Sequence, residues 1–410
     1  MKSYNQYLTE ADANLHMTHL EDAVIDGGVN GTRNVINYIR NIRDMLSGNT
    51  QAPVSLTTKW DGAPAIFAGV DPADGKFFVA KKGVFNKTPK LYKTNSEIDN
   101  DLSGELNSKF KVALKEFAKL GIEGVIQGDF LYTDDDLKTE NIDGEPHVTF
   151  HPNTIVYAVP KASDLGKKIS GSKIGVVWHT TYRGSSLESM SASFGQAIAT
   201  KLTNVSSVWS VDATFEDKSG SATFTAAENK EITDQLSTAG KLFRKIDPKI
   251  LAEFGKNEEL NARLNTFINT KVRAGQRIGA IQPFVRDLQK YIQEYYQKQA
   301  DTKKTPAGKK TQMDKAAGAL TVFDKKNFAK IVDIFTLYDL LVDIKYVIIN
   351  KLNQVEGIKT LLKTNKGFEV TGQEGFVAID HYGKNALKIV DRMGFSKANF
   401  STDYIKGWQK

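Results

Sequence analysis

The chain has 410 residues, of which 40% are hydrophobic and 25% charged, and it contains no cysteine. Such a length suffices for a large core and two or three structural units. The lack of cysteine excludes disulfides, thiolate metal sites and cysteine nucleophiles, and it suits a reducing compartment. No apolar run approaches the roughly 20 residues that a membrane-spanning helix needs, and the first residues lack the apolar core of a signal peptide. We therefore expect a cytoplasmic protein without membrane contact.

The net charge of +7 is unevenly distributed along the chain. Residues 226–366 contain 26 Lys and Arg against 16 Asp and Glu, a balance of +10, whereas the remainder has 29 against 32, a balance of −3. A basic segment of this kind fits contact with a polyanion such as nucleic acid. A solvated helical surface is the alternative, because the excess is modest for a protein that binds nucleic acid.

Residues 1–50 have the pattern of helices. Asp26–Gly31 is expected to break that pattern, and Thr32 can then cap a second helix. A glycine-rich loop before a helix can bind an anion, although a turn between helices is the more common structure.

Residues 52–85 have the pattern of β-strands. Lys59 ends an apolar, β-prone run, and the tight turn at Asp61 and Gly62 separates it from another apolar run. A lysine in such a place can be partly desolvated, which makes the neutral amine available as a nucleophile. A hairpin turn with a solvated lysine is the alternative.

A second turn and a buried acid follow. The turn Asp71–Gly75 predicts a hairpin whose second strand ends at Lys81 and Lys82. Further on, Asp129 interrupts the apolar strand predicted at 124–132. A carboxylate inside an apolar strand is costly without a partner, so Asp129 is a candidate site residue. A strand end already in solvent is the alternative.

The remaining elements are expected at 105–120 (helix), 154–159 and 174–182 (strands) and 228–355 (helices). A flexible basic loop at 300–310 is expected to interrupt the helices. The β pattern then returns, with Glu374 before one apolar strand and Lys388 within another. The pattern of residues 183–225 predicts no particular structure.

Histidine spacing does not favour a structural metal site. His16 and His19 are three residues apart and His147 and His151 four apart, with no cysteine and no well-spaced carboxylate nearby. The acidic run Asp134–Asp136 is expected to form a polar loop.

The order of these features resembles that of the covalent nucleotidyltransferases, namely ATP-dependent DNA ligases, RNA ligases and mRNA capping enzymes. The shared order begins with a lysine in Lys-x-Asp-Gly, then a basic pair before a glycine, and then a strand that contains Gly-Asp. A strand with a central aromatic residue follows, then a Glu-Gly pair, and finally a strand that contains a lysine. The resemblance covers about 52–182 and 368–391. The chain also resembles a group of tailed-phage proteins with Lys-Trp-Asp-Gly-Ala-Pro-Ala, which would place it in the cytoplasm of a host cell.

The resemblance implies roles for the matching residues around the nucleotide. Lys59 is implied to attack the α-phosphorus of ATP, and Asp61 and Gly62 are implied to shape the turn at the nucleotide. Trp178 is implied to stack on the adenine, with Tyr157 as the alternative stacking residue.

The resemblance also implies a set of charged residues around the phosphates. Lys82 or its neighbour Lys81 would lie near the phosphates, and Lys388 would contact the α-phosphate. Asp129 and Glu374 would support Mg²⁺, with Mn²⁺ as an alternative. Such a set is physically sensible, because phosphoryl-type transfer needs placement and neutralised charge more than acid–base work.

Four positions depart from the family pattern. Asp129 replaces a glutamate and is one methylene shorter, and the usual second lysine near Lys388 is missing unless Lys384 replaces it. Thr57 stands where DNA ligases often have an acid that reads the base, which leaves GTP open as the nucleotide. Pro64 replaces an arginine that is common in DNA ligases.

The resemblance implies an α+β fold with an antiparallel-sheet nucleotidyltransferase core, an ATP-grasp-like ligase arrangement. The expected divisions are a helical segment at 1–50, the core at 51–225 and 367–410, and a basic helical insertion at 226–366. No room remains for the OB domain of DNA ligases and capping enzymes, which favours an enzyme similar to RNA ligases. Such an enzyme passes AMP from lysine to a 5′-phosphate, and a 3′-hydroxyl then displaces the AMP. The alternatives are a DNA nick ligase, an adenylyltransferase acting on a protein or small molecule, and a degenerate fold that only binds nucleic acid.

Overall fold

The computed structural model describes residues 18–48, 54–194, 197–214, 223–353, 358–380 and 386–407. The helices within these ranges are α1 (Asp22–Asp26), α2 (Gly28–Leu46), α3 (Asn95–Asp101), α4 (Gly104–Phe117), α5 (Asp164–Gly171), α6 (Ala226–Lys245), α7 (Pro248–Lys256), α8 (Glu258–Arg273), α9 (Ile281–Asp301), α10 (Pro306–Leu320), α11 (Phe328–Leu352) and α12 (Arg392–Phe400). The strands are β1 (Val54–Lys59), β2 (Ala65–Val70), β3 (Phe77–Ala80), β4 (Val125–Thr133), β5 (Lys138–Ile142), β6 (Glu145–Phe150), β7 (Ile155–Pro160), β8 (Ile174–Arg183), β9 (Ser191–Phe194), β10 (Val208–Asp212), β11 (Lys359–Thr364), β12 (Gly367–Val370), β13 (Gly375–Asp380) and β14 (Ala386–Val390).

The strands form three sheets, and nearly all of their pairings are antiparallel. A three-stranded sheet has the order β1-β13-β14, and a five-stranded sheet has the order β12-β11-β7-β6-β5. A six-stranded sheet has the order β10-β8-β4-β2-β3, with β9 beside β8. Only the pairing of β10 with β8 is parallel among the strands described. The chain is therefore an α+β protein, as predicted, with helices and antiparallel strands.

The three-stranded sheet shares one hydrophobic core with the helices. Leu56 of β1, Phe376 of β13 and Ile389 of β14 are buried together with apolar residues of α2 and α11. Helix α11 is apolar on most sides, as expected for a helix in the middle of a core. The opposite face of the same sheet carries Lys59 and Lys388. Helices α2 and α11 therefore pack on the face that points away from these lysines.

Several predicted elements are confirmed. The hairpin of β2 and β3 turns at Asp71–Gly75, and α4, β4, β7, β8 and α11 lie where the apolar periodicity predicted them. None of the helices in the described ranges is both long and apolar enough to cross a bilayer.

The glycine-rich stretch at Asp26–Gly31 breaks the helical pattern as predicted, but the break is confined to Gly27 between α1 and α2. Helix α2 already begins at Gly28, and Thr32 lies inside it, donating its hydroxyl to the carbonyl of Gly28 at 2.8 Å. A Cβ atom at Gly31 would lie 2.0 Å from the carbonyl oxygen of Ala23. Glycine is therefore required here for the close contact of α1 with α2, and the stretch does not form an anion-binding loop.

Two further expectations need correction. The predicted loop at 300–310 is a short connection, because α9 continues to Asp301 and α10 begins at Pro306. The segment 226–366 is also not purely helical, because β11 lies inside it and pairs with β7. The first error arises because polar, lysine-rich sequence is compatible with exposed helix, and the second because a short strand is defined by its distant partner.

Candidate active site

Lys59 is positioned by the antiparallel pairing of β1 with β13. Its backbone lies opposite Gly375, and its ammonium group forms an ion pair with the carboxylate of Glu374. The lysine side chain is 26% exposed and that of Glu374 10%. Gly375 has a φ of +152°, and a Cβ atom there would lie 2.6 Å from the carbonyl oxygen of Ile389. Glycine after Glu374 is therefore needed for β13 to pass this close to β14.

Lys388 lies on β14, the strand next to β13, and is opposite Val377. Burial lowers the pKa of Lys388, and the neighbouring ammonium of Lys59 lowers it further. Lys59, Glu374 and Lys388 line one cavity of about 290 Å³. Three residues that sequence reasoning did not identify also line it: Asn269 and Arg273 from α8, and Arg392 from α12. The lining thus combines four cationic side chains with one carboxylate, and of the four Arg392 is paired with Asp22 outside the lining, which leaves a positive balance suited to an anion such as a phosphate.

Burial raises the pKa of Glu374 to about 7. The carboxylates of Asp61 and Asp129 raise it as well, while Lys59 acts in the opposite direction. These three acids, which are far apart in sequence, therefore lie close enough to affect one another. A cation at this place would relieve their mutual repulsion.

Asp61 has a structural role within the protein. Its carboxylate accepts hydrogen bonds from the side chain of Asn153 at 2.6 Å and from the backbone N–H groups of Thr154 and Ile155 at 2.6 and 2.7 Å. These bonds attach the Lys59 turn to the start of β7. The carboxylate of Asp61 is thus already satisfied by the protein, and it holds the turn that follows Lys59 in place.

Gly62 is required because its backbone passes very close to Asp129. A Cβ atom at Gly62 would lie 2.5 Å from the Cβ atom of Asp129. Asp129 lies on β4, and its backbone is opposite Ala65, just after the Lys59 turn. The turn and the candidate acid are therefore adjacent.

His179 lies beside Asp129, and sequence reasoning did not identify it. Its Nε2 atom is 3.7 Å from the carboxylate of Asp129, and both side chains are about a quarter exposed. Gln127 of β4 pairs with Thr180 of β8 and Gly128 pairs with Trp178, so His179 is an extra residue at a β-bulge. Bulges re-aim side chains and are common near functional sites.

The two predicted stacking residues belong to the core. Trp178 is fully buried, packs against Phe117 with ring centroids 5.2 Å apart and donates its indole N–H to Ser210. Tyr157 is fully buried between Trp60 and Phe150. Neither ring can stack on a base, so the prediction of Trp178 and its alternative Tyr157 are both wrong. The ring that is partly exposed in this part of β8 is that of His179.

The two basic residues after β3 differ in their surroundings. Lys81 lies 3.5 Å from the carboxylate of Asp101, which also binds Lys90 and the hydroxyl of Tyr92. Lys82 is exposed, and its charge contributes to the lowered pKa of Lys388. Of the two lysines, Lys82 is therefore the one whose charge acts on Lys388 in the Lys59 cavity.

No metal site can be read directly from the geometry. Across the described ranges, no three His, Asp or Glu side chains enclose a possible metal position. His147 and His151 instead bond to backbone carbonyl groups, as ordinary structural histidines do. His16 and Lys384, which also entered the sequence predictions, lie outside the described residues.

Residues 14–404 match a family described as a family of unknown function, DUF6267. The match spans almost the whole chain, so the protein belongs to this family. Searches of curated proteins and of solved structures found no match.

Proposed function

We propose that the protein is an ATP-dependent nucleotidyltransferase similar to RNA ligases, with Lys59 as the nucleophile that receives AMP. One observation carries the proposal. The pairing of β1, β13 and β14 brings Lys59, Glu374 and Lys388 from distant parts of the sequence to one small cavity. The resemblance to covalent nucleotidyltransferases implies that these three residues act together on the nucleotide.

The Lys59–Glu374 pair favours formation of a neutral nucleophile. The proton of the Lys59 ammonium can pass to Glu374, whose pKa of about 7 makes it a suitable acceptor. The amine then attacks the α-phosphorus of ATP, forming a phosphorus–nitrogen bond. The bond to the bridging oxygen of the β-phosphate breaks, and pyrophosphate leaves. Lys388 offers positive charge for the phosphate oxygens, and Arg273 lies in the same cavity lining.

A divalent cation fits the three neighbouring carboxyl groups of Asp61, Asp129 and Glu374. Asp129 would hold it, since Glu374 receives the proton of Lys59 in this step, and Mg²⁺ with water ligands needs few protein oxygens. Such a cation would supply charge neutralisation on the phosphates, and Mn²⁺ is the alternative. AMP would then pass to the 5′-phosphate of a nucleic acid, with RNA favoured over DNA, before a 3′-hydroxyl displaces it.

The experiment is covalent labelling with ATP or GTP that carries a radioactive α-phosphate, in the presence of Mg²⁺ or Mn²⁺. Protein first stripped of bound nucleotide should form an acid-labile AMP adduct, and Lys59→Ala should form none, because no other amine occupies that position. Lys167→Ala, which removes an exposed lysine of α5, is the matched control and should label normally. Circular dichroism would check the folding of each variant.

One observation favours a binding module instead of an enzyme. Both rings proposed to stack on the base are buried in the core. If no nucleotide labels the folded wild-type protein while RNA still binds, the enzyme proposal fails and a degenerate, nucleic-acid-binding fold becomes the better explanation.

A further inference from the structure

Lys388 is a second amine in the Lys59 cavity, and its surroundings differ from those of Lys59. Lys59 forms an ion pair with the carboxylate of Glu374. Lys388 lines the same cavity and is partly buried, but among the residues described its amine has neither a carboxylate partner nor a hydrogen bond. The buried Lys345 and Lys351 show the usual arrangement, because each is paired with a glutamate. A lysine removed from water without a counter-charge is unusual in a protein.

The backbone is fixed on both sides of Lys388. On one side the residue pairs with Val377 of β13. On the other side its N–H donates to the carbonyl oxygen of Thr18 at 3.0 Å, and its carbonyl oxygen accepts from the N–H of Leu20 at 2.9 Å. Lys388 therefore lies inside the sheet at this point, and its side chain extends into the cavity from a rigid strand.

The charges around Lys388 favour the neutral form of its amine. Burial lowers the pKa of Lys388, and Lys59, Arg392 and Lys82 lower it further, whereas Glu374 acts in the opposite direction. Because the neutral amine is the nucleophile, Lys388 should react more readily than an ordinary surface lysine. The ion pair of Lys59 with Glu374, by contrast, must break before the amine of Lys59 can attack.

The rest of the lining fits a small molecule that carries a phosphate. The positive balance of the cavity attracts an anion. The side-chain oxygens of Asn269 and Asn399 already accept hydrogen bonds from Arg392 and Thr154, so the two amide groups offer N–H donors to a ligand. The volume of about 290 Å³ is just below the range of roughly 300–1,000 Å³ that is usual for drug-sized ligands, which favours a compact molecule.

We propose that Lys388 forms an imine with a small aldehyde or ketone that carries a phosphate group. The amine attacks the carbonyl carbon to give a carbinolamine. The two hydrogens of the amine then leave with the carbonyl oxygen as water, and a carbon–nitrogen double bond remains. The step needs no oxidant, reductant or further reactant, and hydrolysis reverses it. It goes beyond the proposed nucleotidyl transfer, because it uses a different amine and no nucleotide.

The test treats the full chain, without ATP, with pyridoxal 5′-phosphate, an aldehyde that carries a phosphate. Borohydride reduction traps the imine, and peptide mass spectrometry locates it in the wild type, so that no variant is needed to assign the site. We expect Lys388 to be labelled about tenfold faster than Lys59 or the exposed Lys167, because its amine is more often neutral. Pyridoxal, which lacks the phosphate, should label Lys388 about tenfold more slowly.

Three variants separate the two amines of the cavity. Lys388→Arg keeps the positive charge but should lose the fast label, while Lys59→Ala should still be labelled at Lys388. Lys167→Ala is the surface control and should react as the wild type does. Labelling of Lys388 no faster than that of Lys59 or of the surface lysines would overturn the proposal, and so would equal rates with pyridoxal and its phosphate. Because no nucleotide is present, the result is independent of whether ATP labels Lys59.

Discussion

Glu374 shows how strongly the fold changes the chemistry of a single residue. Its place before an apolar strand was visible in the sequence, and so was its order relative to Lys59. Its raised pKa was not, because that shift arises from burial and from Asp61 and Asp129, which the fold brings near it. The sequence therefore predicted which residue belongs to the site, but not the protonation state in which it starts.

The pKa of Glu374 predicts a pH dependence of labelling. Below about pH 7 the carboxyl group is protonated and cannot accept the proton of Lys59. The initial rate of labelling should therefore fall about tenfold per pH unit below that value and level off above it. Glu374→Gln should label slowly at every pH, whereas Glu369→Gln, at an exposed position, should retain the wild-type profile. A wild-type rate that does not change across this range would contradict the assignment.

The same shift has a consequence for stability that does not depend on enzyme activity. The pKa of Glu374 is raised from 4.5 to about 7 on folding, so the folded protein binds the proton more tightly than the unfolded chain. This contribution to the free energy of unfolding is complete below pH 4.5 and is lost as the pH rises through about 7. Urea unfolding on either side of this range measures it, and Glu374→Gln, which cannot titrate, should show a smaller difference between the two conditions than the wild type.

In strand β8 the pairing with β4 decides which side chain faces the candidate active site. Trp178 is the larger aromatic residue, and sequence alone favoured it for stacking. Alternation along the strand directs Trp178 into the core beside Phe117, and the bulge leaves His179 on the open side near Asp129. A bulge depends on the register with the neighbouring strand, which cannot be read from one sequence.

Replacement of Trp178 is expected to affect mainly stability, and replacement of His179 mainly the rate of labelling. Trp178→Ala should destabilise the protein by about 3–5 kcal/mol, because it removes a fully buried indole. His179→Ala should change stability by less than about 0.5 kcal/mol, as expected at a partly exposed position, but should slow labelling at least tenfold. Chemical denaturation and labelling rates measure the two effects. A His179→Ala protein that labels as fast as the wild type would remove His179 from the site.

The elements that the sequence missed are short strands. Long apolar patterns predicted α11 and the strands β4, β7 and β8 well. The hairpin of β5 and β6 was missed, because both strands are short and β5 is largely polar. The order of the lysines and acids was sufficient to predict that Lys59 and Glu374 lie together, but nothing in the sequence pointed to Arg273.

At the scale of the whole molecule, Arg392 connects parts of the chain that are far apart in sequence. It binds the carboxylate of Asp22 at 3.0 Å and the side chain of Asn269 at 2.7 Å. The beginning of the described chain, helix α8 and helix α12 thus meet beside the Lys59 cavity. The basic helical segment is therefore attached to the candidate active site, which the predicted division into separate segments did not suggest.

Because the basic helical segment is attached to the candidate active site, we predict that its exposed lysines bind RNA. Lys303, Lys304, Lys309 and Lys310 are exposed where α9 meets α10. If they bind RNA, the affinity for a 5′-phosphorylated single strand should weaken with salt, since bound phosphates release counterions. Changing all four lysines to glutamine should weaken binding and reduce the slope of log K against log salt by about 0.7 for each phosphate that is no longer neutralised.

The effect on chemistry separates RNA binding from nucleotide transfer to Lys59. Labelling of Lys59 by ATP should be unchanged in the fourfold variant, because none of the four lysines lines the Lys59 cavity, while AMP transfer to RNA should fall. Replacement of the exposed Lys161 and Lys167 is the control and should leave the salt slope unchanged. If the fourfold variant keeps the wild-type slope, these lysines form a solvated surface, and the RNA must be sought on the cationic wall that Arg273 and Arg392 provide.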